Sequence, residues 1–402
     1  MDITIHPQKL QGLVNVIPSK SQAHRYLICA ALADGPTDIH CAETSRDMDA
    51  TADCLIALGA AIERTDWGYR VTPIDHVPEK AVLPCRDSGS TLRFLLPVAG
   101  ALGVDATFQM EGRLPQRPLS PLWEELERMG CTLSRPTPDT IRCEGQLRPG
   151  AYAIAGNVSS QFVTGLLYAL SLLPEPSQLN LTGKIESLPY INMTIRALEQ
   201  FRVKLLHTPS LYILGCIDTF STPGVIDVES DWSNGAFWLA AAELGSGLTV
   251  TNLSPSSPQG DSACAYLLPR LREHSTISAA NIPDLVPILS VMAAANRGAV
   301  FTDIQRLRLK ESDRVESVIA MLTALSGRAE ATKDTLTVFG TGLLGGTVDA
   351  VGDHRIAMSA AIAATVCSQP VTVLGAECVE KSYPKFWAEY ARLGGSYEQH
   401  LR

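Results

Sequence analysis

The sequence predicts an α/β protein of two globules, each assembled from copies of one small unit, on three observations. A helix with apolar periodicity closes on a glycine and is followed by two short alternating strands, and this pattern recurs along the chain. Equivalent positions at 59, 130 and 202 recur about every 70 residues, longer than the common solenoid repeats, so three units make one compact globule and six make two. The chain has 402 residues, 46% of them hydrophobic, which excludes a disordered chain and fits about two or three domains.

The first copy runs from Cys54 through Gly59 to Ile62, with its second strand at Gly68-Tyr69-Arg70-Val71. The second runs from Leu126 through Gly130 to Leu133, followed by Thr140-Ile141-Arg142-Cys143. Weaker copies span 198–205 with 211–214, 322–329 with 335–338, and 390–397; residues 267–277 read as a sixth, degenerate copy. A boundary is expected near 228–231, where a strand-like run meets a helix beginning at Trp232 or Ser233. With no low-complexity linker, the two globules favour a cleft between them, a common place for a ligand.

Composition narrows the function. With 33 Lys+Arg against 42 Asp+Glu the formal net charge is −9, which argues against a protein that coats nucleic acid or anionic membrane by bulk charge. The longest apolar stretches, 94–104 and 285–295, fall short of the roughly 18 residues of a spanning helix, and the N-terminus has no secretory pattern. Ten cysteines are scattered without a Cys-x-x-Cys pair or a Cys/His cluster, so neither a metal site nor a disulfide framework is expected, and the reading is a reduced, cytoplasmic protein.

Several segments carry anion-binding chemistry. In 18–25, Pro-Ser-Lys-Ser-Gln-Ala-His-Arg opens a helix that Ser19 or Ser21 can cap and Gly35 is expected to end. Ser21 and Arg25 share a face at an end whose free N–H groups favour anions, and Lys20 adds a charge; a capped surface helix reads equally well. Residues 86–93 form a small-residue turn into a helix, where the Gly89 and Ser90 N–H groups can approach a ligand closely, and a plain turn reads equally well. Asn157-Val158-Ser159-Ser160-Gln161-Phe162 repeats the theme, as a phosphate cradle or as an ordinary N-cap. Residues 307–314 are denser: on one helix Lys310 and Arg314 would be four apart, with Glu311 beside two cations. Arg355 stands where a nearly uncharged helix begins, and Lys381-Ser382-Tyr383-Pro384 is a late basic turn.

In order and over nearly the whole chain, these segments resemble the EPSP synthase (3-phosphoshikimate 1-carboxyvinyltransferase) family. The resemblance is carried by Pro-Ser-Lys-Ser-x-x-x-Arg at 18–25, Gly89 to Arg93, Gln116-Arg117-Pro118, Val158 to Phe162, Ile282-Pro283-Asp284, Lys310 to Arg314, Asp353-His354-Arg355 and Lys381 to Pro384. It implies two globules of three βαβαββ units each with pseudo-threefold symmetry, 18–229 as one and 1–17 plus 230–402 as the other, with the active site in the cleft between them. It also implies transfer of the enolpyruvyl group of phosphoenolpyruvate to the 5-hydroxyl of shikimate 3-phosphate, with no metal or other cofactor, by a cytoplasmic monomer with no nucleic-acid or membrane partner. The alternatives are the superfamily member acting on UDP-N-acetylglucosamine and a non-catalytic phospho-ligand binder. Against the first, Lys20-Ser21 replaces its Lys-Asn pair and Gly112 stands at its loop cysteine.

By the same resemblance, shikimate 3-phosphate falls to Lys20, Ser21, Arg25, Ser159, Ser160, Gln161, Ser187, Asp284 and Lys310. Phosphoenolpyruvate falls to Lys20, Gly89, Arg117, Gln161, Arg314, Arg355 and Lys381. Asp284 would be the base and Glu311 the acid, shared with Lys20; glyphosate would compete for the phosphoenolpyruvate site. Phe94, Asp87-Ser88, Arg306 and a short 267–283 segment depart from the common family pattern. With Arg93 counted beside Lys20, Arg25, Arg117, Lys310, Arg314, Arg355 and Lys381, eight cations fall to the site and the rest of the chain is left at about −17.

Overall fold

The structure, a computed structural model, describes residues 1–215 and 220–400. The chain divides into two compact units, Pro18–Val228, and Met1–Ile17 with Glu229–Arg402. Each has its own apolar core. Among the described residues six helices belong to the first unit: α1 Lys20–Ala31, α2 Arg46–Ala57, α3 Gly89–Leu102, α4 Leu122–Arg128, α5 Ser160–Leu170 and α6 Leu188–Gln200. Six belong to the second: α7 Trp232–Glu243, α8 Cys264–Arg270, α9 Val286–Ala295, α10 Arg314–Ala324, α11 His354–Ala363 and α12 Phe386–Arg392. None is long and apolar enough to cross a membrane.

One sheet plan recurs. Lys80–Arg86 runs parallel to Asp105–Met110 across α3, Thr140–Gly145 lies antiparallel to the latter, and Cys131–Ser134 closes a hairpin at the edge. The same order appears in Ala151–Ala155, Ser177–Thr182, Leu211–Leu214 and Leu205–His207, and in Ser275–Ser278, Ala299–Thr302, Thr335–Phe339 and Arg328–Ala331. The remaining copies borrow strands from distant parts of the chain. Val225–Asp227 fills the first place beside Thr37–His40, Gly68–Thr72 and Ala61–Thr65. Asp2–His6 fills the third place between Val371–Leu374 and Ser396–His400, with Gly346–Asp349 outside. The sixth copy keeps only Gln11–Asn15 paired with Gly247–Thr251; after α8 the chain goes directly into Ser275–Ser278 of the next sheet, so the degenerate copy at 267–277 carries no hairpin of its own.

Alternating burial along Asp105–Met110 and Lys80–Arg86 turns one sheet face to the core, where α1, α3 and α5 are buried on nearly all sides. Close approach of α3 and α5 depends on Gly165, because a Cβ there would sit 2.2 Å from the Arg93 carbonyl oxygen. Helices α1, α3 and α5 start on Ser19, Ser88 and Ser159, each accepting a backbone N–H. A serine cap satisfies one orphan donor without adding negative charge, which keeps these termini attractive to anions.

Two sequence expectations are corrected. Gly35 does not end the first helix: α1 stops at Ala31 with Leu32 as its cap, and the next residues are held from elsewhere, Asp34 N donating to the Phe220 carbonyl at 2.9 Å. Residues 307–314 are not one helix. A 3-10 turn covers Gln305–Leu309, Lys310 is extended, and α10 begins at Arg314 because the Asp313 carboxylate caps it, accepting from Val315 N and Glu316 N.

Candidate active site

In the first unit the predicted residues gather at the starts of α1, α3 and α5. Lys20 opens α1, and its Nζ is 2.8 Å from Asp47 Oδ2 on α2. Gly89 opens α3, where a Cβ would stand 2.5 Å from Arg117 Nη1 and 2.9 Å from Arg93 Nη1. Only a residue without a side chain leaves Arg117 its place. Arg93 Nη1 donates to Gln161 Oε1 at 2.8 Å, and Gln161 Nε2 donates to Ser90 Oγ at 2.9 Å, so the α3 and α5 termini are tied directly. Ser159 and Ser160 precede Gln161, and the turn bearing Ser187 is joined to the same loop by Glu186 N donating to the Gly156 carbonyl at 3.1 Å. Ser187 has a left-handed backbone, φ 54°, just before α6.

Arg25 differs from the others. It is 2% exposed, and it donates to the Ser21 carbonyl (2.6 Å), Thr194 Oγ1 (3.0 Å) and the Tyr190 carbonyl (2.9 Å), over the Phe94 ring. Much of its donor capacity holds α1 to α6. Phe94 therefore has a packing role under the guanidinium.

The second unit holds a buried ionic cluster. Asp284 Oδ1 faces Lys310 Nζ at 3.3 Å and Arg314 Nη1 at 2.5 Å, and Oδ2 lies 3.7 Å from Arg355 Nη2. Arg314, 1% exposed, also reaches Asp353 from Nε and Glu311 from Nη2, both at 2.8 Å. Burial alone would raise the Asp284 carboxyl, but Lys310, Arg355 and Arg314 bring it well below the usual carboxylate range. Burial lowers Lys310, opposed by Asp284, and Arg306 adds a further cation nearby. Lys381 is buried at the end of a 3-10 turn.

The sequence assigns no role to the residues that hold these cations in place, although Asp353 and Ser382 lie within the segments that carry the resemblance. Asp353 caps α11 through Arg355 N at 3.0 Å, accepts from Ser312 Oγ at 3.0 Å and binds Arg314, so one fully buried carboxylate orders three segments. The start of α7 does the same for Arg355 and the Lys381 loop: Arg355 Nη1 donates to the Ser233 carbonyl at 3.2 Å, and Asn234 Nδ2 to Ser382 Oγ at 3.3 Å. Ser233 Oγ in turn hydrogen-bonds Asp261, whose carboxyl burial pushes up to about 6, the Asp284 charge adding to the rise. An Asp directly before a helix was the readable signal for Asp353; nothing local marks Asp261.

A profile of the family described as EPSP synthase (3-phosphoshikimate 1-carboxyvinyltransferase) matches residues 5–274 and 269–390. The chain belongs to the EPSP synthase family. Among its relatives, a 3-phosphoshikimate 1-carboxyvinyltransferase from Clostridium kluyveri is 37% identical over 422 residues, covering 99% of this chain and 98% of the relative. One from Clostridium perfringens is 36% identical over 416 residues, with 98% of each covered. Solved structures share the EPSP synthase fold: EPSP synthase from Acinetobacter baumannii superposes with a TM-score of 0.80 at 22% identity, over 99% of this chain and 100% of that one. The enolpyruvyl transferase NikO from Streptomyces tendae gives 0.76 at 16% identity, over 100% and 99%.

Proposed function

We propose that the protein transfers the enolpyruvyl group of phosphoenolpyruvate to the 5-hydroxyl of shikimate 3-phosphate, releasing phosphate. The observation that carries this reading is the Asp284 carboxylate held among Lys310, Arg314 and Arg355, a base and an anion-binding set in one cluster, within an EPSP synthase family chain. In the first unit the serine-capped helix starts, Ser159, Ser160 and Ser187 take the phosphorylated acceptor, while Gly89, Arg117 and Lys20 grip phosphoenolpyruvate; arginine forks suit its carboxylate and phosphate. In the second unit Arg314, Arg355 and Lys381 take the same donor.

In the chemistry that follows, Asp284 accepts the proton of the 5-hydroxyl as its oxygen bonds to C2, and Glu311, with Lys20, delivers a proton to C3. The tetrahedral adduct then loses phosphate and a C3 proton, restoring the double bond. The chain itself supplies the acid and the base.

Phosphate release in a mixture of phosphoenolpyruvate with either shikimate 3-phosphate or UDP-N-acetylglucosamine tests the reading. Release is expected with the first acceptor alone, and glyphosate is expected to raise the apparent KM for phosphoenolpyruvate with Vmax unchanged. Release with the nucleotide sugar, or with neither, would overturn the assignment.

A further inference from the structure

Four fully buried polar side chains behind the first unit's helix starts form a connected line: His24 on α1, Thr51 on α2, and Thr91 and Ser88 at the start of α3. His24 Nδ1 is 2.7 Å from Thr51 Oγ1, Thr51 Oγ1 is 2.7 Å from Thr91 Oγ1, and Thr91 Oγ1 donates to Ser88 Oγ at 2.7 Å. A hydroxyl has one proton to give. Thr91 gives its proton to Ser88 and so must accept from Thr51; Thr51 is thereby committed and must accept from His24. The line therefore runs one way and requires a hydrogen on His24 Nδ1. It ends on the hydroxyl that also caps α3 by accepting from Thr91 N, immediately before Gly89.

The line is one rung of a ladder. Lys20 and His24 are four apart on α1, Asp47 and Thr51 are four apart on α2, and each pair meets its counterpart: Lys20 with Asp47 at 2.8 Å, His24 with Thr51 at 2.7 Å. The rung at Thr51 continues into α3 through Thr91. Apolar contacts are non-directional, whereas a buried hydrogen bond depends on both distance and angle and costs free energy when it is left unmade.

We propose that His24, Thr51, Thr91 and Ser88 are positioning residues that fix Lys20 and the Gly89 end of α3 relative to one another for phosphoenolpyruvate. The proposal rests on the function proposed above. Thr51→Val and Thr91→Val remove a hydroxyl and keep the shape; Thr51→Ser and Thr91→Ser keep the hydroxyl. The valine variants are expected to raise KM for phosphoenolpyruvate about tenfold while KM for shikimate 3-phosphate stays within about twofold, and the serine variants to restore the first to within about twofold of the parent. Nitrogen-15 spectra of the histidine-labelled full chain are expected to show His24 with Nδ1 protonated. An Nε2-only tautomer in the parent would overturn the proposal. So would unchanged KM values in a valine variant that melts cooperatively, or a serine variant no better than valine. Should the valine variants fail to fold, the parent's tautomer and the serine variants still decide. If the parent gives no turnover at all, the proposed function fails, while the tautomer still tests the hydrogen-bond line.

Discussion

Arg314→Ala is expected to cost about 3–5 kcal/mol in the unfolding transition of the unit that carries it, because it breaks a buried ionic network from one side. Arg314 is 1% exposed and makes ion pairs with Asp284, Asp353 and Glu311, and Asp353 is itself fully buried. Without the guanidinium, Asp284, Asp353 and Glu311 lose their shared partner, while Lys310 and Arg355 remain beside Asp284.

The pH dependence contributed by Asp353 should then reverse. In the parent protein, burial would raise Asp353, but the Arg314 charge brings it below its ordinary value, as the surrounding cations do for Asp284. A depressed carboxyl contributes stability that is present above its unfolded pKa of about 3.9 and is lost only as pH falls through the lower folded value. In Arg314→Ala burial and the Glu311 charge dominate at Asp353 and its carboxyl rises, while Lys310 and Arg355 still hold Asp284 down, so stability is lost as pH rises through the folded value of Asp353. Urea unfolding at pH 7 and pH 5 checks this: the variant should gain more stability on acidification than the parent, in which Asp353 and Asp284 add no change over that range and the gain comes from Asp261, pushed up to about 6. A loss under about 1 kcal/mol, or parallel pH behaviour, would contradict the network's importance.

Asp284→Asn is expected to lower kcat by about 10²–10⁴-fold, the usual contribution of a positioned base, with kcat/KM falling in step. The amide keeps the shape but cannot take the hydroxyl proton. Its effect on folding should be smaller than that of Arg314→Ala, since Arg314 retains Asp353 and Glu311. Asp284 is held so far below the ordinary carboxylate range that the unliganded residue is a weak base. Phosphoenolpyruvate brings a carboxylate and a phosphate to the same cations, and each cation it engages withdraws from Asp284, so donor binding would raise the basicity of the group that must act next. Steady-state kinetics separate the cases, and a near-parental kcat would remove Asp284 from the proton transfer.

Much of this was legible because helix starts are local. Ser19, Ser88, Ser159 and Trp232 mark where helices begin by the chemistry of the cap and the onset of apolar periodicity. At 307–314 the basic spacing outweighed a stronger local cue, since Asp313 with Glu316 three residues later is itself a helix-start pattern. The rest depends on distance along the chain. Asp47 meets Lys20 across 27 residues, Thr51 meets Thr91 across 40, and Asp2–His6 pairs with Val371–Leu374 and Ser396–His400 from the other end of the chain; no spacing within one segment encodes these. Cations that bind anions stand out in a sequence, whereas the hydroxyls and carboxylates that hold them look like ordinary caps.

Turnover of shikimate 3-phosphate and phosphoenolpyruvate in D₂O tests the central claim most directly. Addition followed by elimination takes C3 through a methyl group that receives a solvent proton and then loses one of three, so deuterium is expected in the vinyl group of the product, read by NMR or mass. Phosphate release with a product free of deuterium would contradict the account.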